Sequence, residues 1–369
     1  MRILIIARAW SFHGGVETAT AGLLQALVEH GDDVHLLSTG AAPPVRGITV
    51  RRLRLPPMPA AARVRAVAVL ARLTARRSGW DVVQSHERVL GADVYRAGEG
   101  CHRAYLDSRD EPGGRALYHR ALLALERRVF ADTPEIVAIA RVGKDEIQRL
   151  YGVDDGRVTV VYNGVDLERF HPRNRERHRV VAREEAGVPH DAFAILFVGS
   201  GFARKGLATA IETLAAADDR TARLLVIGRG DARSYRALAA RLGVAERVAW
   251  LGARPDVERW YAGADVVILP ARYEPFGNVH LEALASGTPV MASRRAGGAE
   301  VIADGVNGAV RDPHDARGYA EALAIVRARP ATERVFLARR SAEPHTYTRQ
   351  VTELRVIWRR LPRAKADFP

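Results

Sequence analysis

Along the whole chain, short apolar runs alternate with longer stretches whose apolar positions recur every three or four residues. Ile3–Ala7 has the unbroken apolar character of a strand buried on both faces. A helical stretch from Val16 to about Glu29 follows, closed by Gly31. The same grammar predicts strands at Val34–Ser38, Ile48–Leu55, Asp81–Ser85, Val94–Ala97, Glu135–Ala138 and Val158–Tyr162, with helices near Ala60–Arg77, Arg115–Phe130 and Val142–Tyr151. In the second half, strands at Ile195–Val198, Leu224–Ile227, Val248–Leu251, Val266–Leu269 and Val290–Ala292 are separated by helices near 207–217, 234–242, 256–263, 278–286 and 315–327. Strictly alternating strands and helices imply parallel sheets with helices on both faces, here in two runs.

The boundary is placed after Asn163-Gly-Val-Asp166, because Leu167 to Arg183 is dense in Arg, His and Glu, holds Pro172 and shows no core period, which is the composition of a linker. The expected organisation is an N-terminal domain over 1–166 and a second over 167–345. A C-terminal helical segment, 346–369, crosses back to the first, with Val351, Leu354 and Trp358 at helical spacing. In such doubly wound domains ligands sit beyond the carboxyl ends of the strands, so the residues just after each strand are where chemistry is sought.

Three such places stand out. After Val266–Leu269 comes Glu274-Pro-Phe-Gly-Asn-Val-His-Leu-Glu282, with Asn278 a helix cap and Gly287 its stop. The amino end of that helix suits a phosphate, Glu282 one turn inside suits two vicinal ribose hydroxyls, and Glu274 suits another part of the same ligand. A capping acid and a solvated loop acid are the plain alternatives. After Ile195–Val198 comes Gly199-Ser-Gly-Phe-Ala-Arg204-Lys205-Gly206, whose adjacent cations can neutralise a diphosphate; a solvated basic turn is the alternative. After the first strand, His13-Gly14-Gly15 opens a helix and lets backbone approach a ligand or simply makes a tight turn.

Composition narrows the field. The chain has 369 residues and one cysteine, Cys101, which fits a reducing compartment and excludes multi-cysteine metal centres. No Asp-x-Asp motif occurs, and the Gly-x-Gly pairs at 98, 199 and 228 all lack the third glycine of the dinucleotide fingerprint. Neither a targeting signal nor a spanning run of apolar residues is present. The net charge of +13 calls for an anionic partner.

Together, Gly14-Gly15, Asn163–Asp166, Arg204-Lys205 and the Glu274/Glu282 pair resemble the family 4 retaining glycosyltransferases, and Ala264–Pro270 through Glu282–Val290 is similar to that family's most recognisable segment. Asp93–His102 looks most like the lipopolysaccharide core glucosyltransferase I group. The resemblance implies a GT-B fold, two Rossmann-like domains facing across a cleft, and a metal-independent hexosyltransferase without a cofactor. Its donor is a nucleotide sugar, expected to be a UDP-sugar, and its acceptor an anionic lipid-linked or cell-envelope glycan such as the lipopolysaccharide core. By the same resemblance Arg204 and Lys205 hold the donor diphosphate, and Glu282 holds the ribose. Glu274 touches the transferred sugar, Phe276, Gly277 and Asn278 supply backbone donors, and Gly15 and Gly199 line the site. Arg254 packs on the base, and either Glu99 or His102 faces the sugar. An epimerase or phosphorylase of this architecture and a basic nucleic-acid-binding protein are the competing classes, the last disfavoured by scattered aromatics, so no nucleic acid partner is expected.

Charge also suggests a place. In Ala60–Arg77 the residues Arg65, Arg72 and Arg76 share one side, with Val64, Val67 and Leu70 opposite; in Arg115–Phe130 an apolar stripe runs through Leu117, Ala121, Leu125 and Val129. Basic amphipathic helices of this kind suit an anionic membrane, implying a cytoplasmic protein held at the inner face. Packing of the stripes on the sheet is the alternative.

Overall fold

The computed structural model describes residues 1–8, 10, 15–75, 79–109 and 114–361, so His13, Gly14 and Arg76 lie outside the described residues. Contacts divide the chain into two units, Met1–Gly164 with the segment from Tyr347, and Val165–Thr346.

Unit 1 is built on β1 (Arg2–Ala7), α1 (Gly15–Glu29), β2 (Asp33–Ser38), β3 (Thr49–Arg52), α2 (Ala60–Ala75), β4 (Val82–Ser85), β5 (Val94–Arg96), α3 (His102–Asp107), α4 (Ala116–Asp132), β6 (Glu135–Ala138), α5 (Arg141–Tyr151) and β7 (Val158–Val160). Its strands form one parallel sheet in the order β3-β2-β1-β4-β5-β6-β7. Alternate residues of β1 serve two cores: Ile3 and Ile5 pack with Leu23, Leu24 and Leu27 of α1, while Leu4 and Ile6 pack with Ala71, Ala75 and Trp80 on the other face.

Unit 2 follows with α6 (Asn174–Glu185), β8 (Ala194–Val198), α7 (Phe202–Lys205), α8 (Leu207–Ala216), β9 (Arg223–Ile227), α9 (Arg233–Arg241), β10 (Val248–Gly252), α10 (Val257–Gly263), β11 (Val266–Leu269), α11 (Asn278–Ala285), β12 (Val290–Ser293), β13 (Gly308–Arg311), α12 (Ala316–Ala328) and α13 (Ala331–Ala342). Its parallel sheet runs β10-β9-β8-β11-β12-β13. The strand order therefore reverses at β1/β4 in unit 1 and at β8/β11 in unit 2, the positions where doubly wound sheets bind ligands. The chain then makes α14 (Tyr347–Arg360), which lays Val351, Leu354, Ile357 and Trp358 on α1 in the core of unit 1.

Several expectations are corrected. The stretch Leu167–Arg183 is not a plain linker: α6 occupies its second half, and its buried face consists of Asn174, Ala182 and Arg183. A polar buried face leaves no apolar period to read. The short α3, the strand β13 and the helix α13 are additions, β13 beginning with a glycine and α13 burying only Ala338 and Ala342. In α2 the fully buried residues are Ala68, Ala71 and Ala75, while Val64, Val67 and Leu70 are half-buried with Val67 packed on the core, and Val69 and Leu73 stand 57% and 47% exposed. In α4 the stripe is rotated: Ala121, Leu122, Glu126, Val129 and Phe130 are buried, and Leu117 is 72% exposed. Asn278 is the first helical residue of α11, and Gly277, with φ 82°, takes the cap position.

Candidate active site

In unit 2 two loops meet at the carboxyl ends of β8 and β11. The first leaves β8 through Gly199, turns at Gly201 (φ 75°) and makes the single turn of α7, ending at Gly206 (φ 77°). A Cβ at Gly206 would lie 1.9 Å from the Pro270 carbonyl oxygen, so only glycine lets this loop rest on the start of the second. The second loop leaves β11 at Pro270 and reaches α11, and the Arg272 N–H donates to the Arg204 carbonyl at 2.8 Å.

These turns converge on Glu274. Its Oε2 accepts from Arg204 Nη1 at 2.8 Å and from Lys205 Nζ, and Arg204 also donates to the Tyr273 carbonyl at 3.0 Å. Burial alone would raise the Glu274 carboxyl, but Lys205 and then Arg204 outweigh it and hold it down at about 2. It is thus a carboxylate at any neutral pH. Lys205 is itself buried, its stem lying over Gly199 with Cγ 3.0 Å from where a Cβ would be, and burial lowers its ammonium below the ordinary range.

Glu282 sits one turn inside α11. Its Oε2 accepts from the buried Tyr261 hydroxyl at 2.8 Å, and burial raises its carboxyl while Tyr261, Arg169 and Lys205 pull the other way. Arg204, Lys205, Glu274 and Glu282 therefore share one electrostatic neighbourhood. Phe276 is buried, its carbonyl accepting from the Gly298 N–H at 2.7 Å. Arg254 lies on the loop after β10, with its guanidinium on Glu185 at 3.0 Å and over the Trp260 ring at 5.1 Å.

Sequence reasoning missed two supports. Tyr261, from α10, fixes Glu282 and gave no signal beyond being aromatic. His280 is fully buried, and its Nδ1 donates to the Gly277 carbonyl at 2.6 Å, which pins the cap of α11; its position three residues after a loop glycine was the one available hint. Burial holds its imidazole down at about 4, so it is neutral in the folded protein. An unfolded histidine titrates near 6.5, so protonation favours the unfolded chain: stability falls as the pH drops below about 6.5 and the loss levels off below about 4, amounting to about 3 kcal/mol from this group. Denaturant unfolding between pH 7 and 4.5 should therefore show a shallower acid loss in His280→Asn than in the wild type, and an unchanged slope would contradict this reading.

In unit 1 the matching switch point holds a buried ion network. Arg8, after β1, donates to Glu87 at 2.9 Å and pairs with Glu99. Arg88, after β4, is held by Glu126 at 2.7 Å, Glu99 at 3.0 Å and the Gly100 carbonyl at 3.0 Å. Glu126, wholly buried in α4, also accepts from the His102 and Arg103 N–H groups at 2.8 and 3.3 Å and from the Tyr151 hydroxyl. It thereby caps α3 and fixes the loop Gly98–Cys101. Of the two sugar-facing candidates, Glu99 keeps a side chain 27% exposed, whereas the buried His102 ring hydrogen-bonds His119 Nδ1 at 3.0 Å. Cys101 is a buried small side chain whose thiol burial pushes up. Gly15 is the first residue of α1.

Comparison with known proteins gives a consistent picture. Residues 192–327 match the family described as "Glycosyl transferases group 1", and residues 13–169 match "Glycosyltransferase Family 4". A D-inositol 3-phosphate glycosyltransferase of Xylanimonas cellulosilytica is 32% identical over 84% of this chain and 82% of its own length. An uncharacterised glycosyltransferase of Methanocaldococcus jannaschii is 30% identical over 80% of each. Among solved structures, WaaG, a glycosyltransferase involved in lipopolysaccharide biosynthesis, superposes with a TM-score of 0.79 at 22% identity, covering 96% of this chain and 99% of that one. HepE of Anabaena in complex with UDP-glucose gives 0.73 at 18% identity, covering 96% and 99%. The two-sheet GT-B fold is shared with these solved structures.

Proposed function

This chain belongs to the group 1 and family 4 glycosyltransferases, and from that premise we propose that it moves a hexosyl group from a UDP-sugar to a phosphate-bearing acceptor, with retention and without a metal ion. The observation that carries the reading is the convergence of Lys205 and Arg204 on Glu274 at the β8/β11 switch point, with Glu282 held by Tyr261 one turn into α11. A donor diphosphate would take the two cations and the positive end of the α11 dipole, where charge builds on the departing nucleotide. Glu282 accepts from the ribose hydroxyls. Glu274, committed to two cations, orients them and a sugar hydroxyl and is a poor nucleophile, which favours attack from the face the nucleotide leaves. Within unit 1, Arg8 and Arg88 brace Glu99. A uridine donor is supported by the likeness to HepE, solved with UDP-glucose.

For the acceptor, the relatives named D-inositol 3-phosphate glycosyltransferases support a small phosphorylated polyol. A second reading, a lipid-linked glycan such as the lipopolysaccharide core reached from the inner membrane face, rests on the surface where α2 packs on α4. Val69 and Leu73 of α2 and Leu117 of α4 stand exposed, as do Arg65 of α2 and Arg120 of α4. No described helix is long and apolar enough to cross a membrane. Cosedimentation with phosphatidylglycerol vesicles at low salt, lost in Leu73→Glu with Leu117→Glu, is the outcome this second reading requires; no binding would end it.

The activity test is a screen of radiolabelled UDP-, GDP- and ADP-hexoses against inositol phosphate and against lipid-linked glycan. Transfer from a UDP-hexose to one of these, with the product's anomeric configuration that of the donor, is expected. Failure to turn over or bind any of the donors would overturn the proposal.

A further inference from the structure

At the opposite end of the same two strands, unit 2 gathers arginines around one carboxylate. Asp265 immediately precedes β11 and is bonded to the first residue of β8: its Oδ2 accepts from the Ala194 N–H at 2.9 Å and from Arg183 Nη2 at 2.5 Å, and its Oδ1 accepts from Arg179 Nη2 at 2.7 Å. Arg183 spends its other donors on the carbonyls of Gly263, Pro189, His190 and Ala192, and Arg179 spends its own on Gly263 and Ala264. Arg183 thus donates from all three of its nitrogens, and Arg179 from its two terminal ones.

Arg175 of α6 and Arg334 of α13 are different. They point at the same Oδ1 but stop 3.9 and 4.0 Å away, beyond hydrogen-bond reach. Their side chains are only 17% and 11% exposed, and Arg334 Nη1 is buried without a partner. Arg334 lies over the Phe193 ring at 5.2 Å, which holds its plane, and the nearby Arg327 is already paired with Asp219. Four guanidinium groups thus face a single carboxylate, and Asp191 is a further acid acting on Arg183. Burial together with this crowding lowers Arg175 to about 10. Leaving such charge half-desolvated and uncompensated is costly unless an anion completes the set.

We propose that Arg175 and Arg334, backed by Arg179, form a binding site for a phosphate group, the anion that two guanidinium forks grip best. The site is distinct from the nucleotide site, which lies about 15 Å away along β8, at the far end of a five-residue strand. Its occupant is inorganic phosphate, a small phosphate ester or a lipid phosphate, which share this chemistry.

The test is thermal unfolding of the whole chain across a series of inorganic phosphate concentrations, in the wild type, Arg175→Gln, Arg334→Gln and Arg204→Gln. Because removing one cation of a crowded set can raise the midpoint by itself, the readout is its dependence on phosphate. The expected result is stabilisation of the wild type whose apparent affinity falls at least tenfold in Arg175→Gln and Arg334→Gln and is kept in Arg204→Gln. A dependence lost only in Arg204→Gln, or unchanged in all three, would overturn the proposal. Wild-type crystals soaked in tungstate give a second reading that needs no variant. An anomalous peak between Arg175 and Arg334 supports the site, and a peak confined to Arg204 and Lys205 refutes it. Sedimentation with phosphatidic acid vesicles, lost in the same two variants, would identify the phosphate as a lipid's, and phosphate binding without sedimentation would identify a free anion.

Discussion

Lys205→Met is expected to lower kcat by on the order of 10²- to 10³-fold, the usual cost of removing one preorganised donor from a site where charge develops. Methionine keeps the unbranched stem that lies over Gly199, so the loop from Gly199 to Gly206 should stay in place. What changes is the charge at Glu274, whose carboxylate then keeps only Arg204 and titrates higher than about 2. Part of any destabilisation therefore comes from a buried carboxylate left half paired. Lys205→Met combined with Glu274→Gln separates the two effects. The double variant should recover stability relative to Lys205→Met while activity stays lost, since the group proposed to meet the leaving diphosphate is still missing. Recovery of activity in the double variant would mean that Lys205 serves only to neutralise Glu274.

Glu126→Ala carries the largest expected cost in stability. Truncation leaves Arg88 with two of its three partners, and leaves two N–H groups at the start of α3 and the Tyr151 hydroxyl without theirs. Breaking a buried ion pair from one side typically costs about 3–5 kcal/mol, equivalent to a midpoint lower by roughly 10 °C for a unit of this size. Glu126→Gln keeps an acceptor and should cost less than half as much. Activity should fall in both variants, because Glu99 is held by the same Arg88. Calorimetric unfolding decides the first point. A drop under about 1 kcal/mol for Glu126→Ala would show that water or another acid replaces the carboxylate.

The alternation of strands and helices was readable wherever burial falls on apolar residues. Val266–Leu269 and Glu135–Ala138 appear as expected because every interior position is aliphatic or alanine. Elements that bury polar or small residues escaped. In α6 the inward positions are Asn174, Ala182 and Arg183, and the last is satisfied by Asp265, which lies far off in sequence. The strand β13 starts at Gly308, where a Cβ would meet the Val290 carbonyl oxygen at 1.9 Å, so close strand packing rather than hydrophobicity selects the residue. The α4 helix buries Glu126, off the apolar stripe drawn through Leu117 and Leu125, because its partners come from α3, α5 and the loop after β4.

The site shows the same division. Arg204, Lys205, Glu274 and Glu282 could be singled out because each follows a strand in a doubly wound pattern, and the structure brings them into one neighbourhood. Their supports were far less legible, since Tyr261 and Gly298 acquire meaning only from tertiary neighbours and His280 offered only its spacing after a loop glycine. A Cβ at Gly298 would lie 2.6 Å from both His280 Nδ1 and the Phe276 carbonyl oxygen, a constraint with no trace in local sequence.

The central claim is that paired cations hold a diphosphate while Glu282 holds the attached ribose. Calorimetric titration of UDP and of uridine into the wild type, Lys205→Met and Glu282→Gln tests it most directly. Lys205→Met should weaken UDP at least tenfold and leave uridine unaffected, and Glu282→Gln should weaken both. Wild-type affinity for UDP in Lys205→Met would contradict the account.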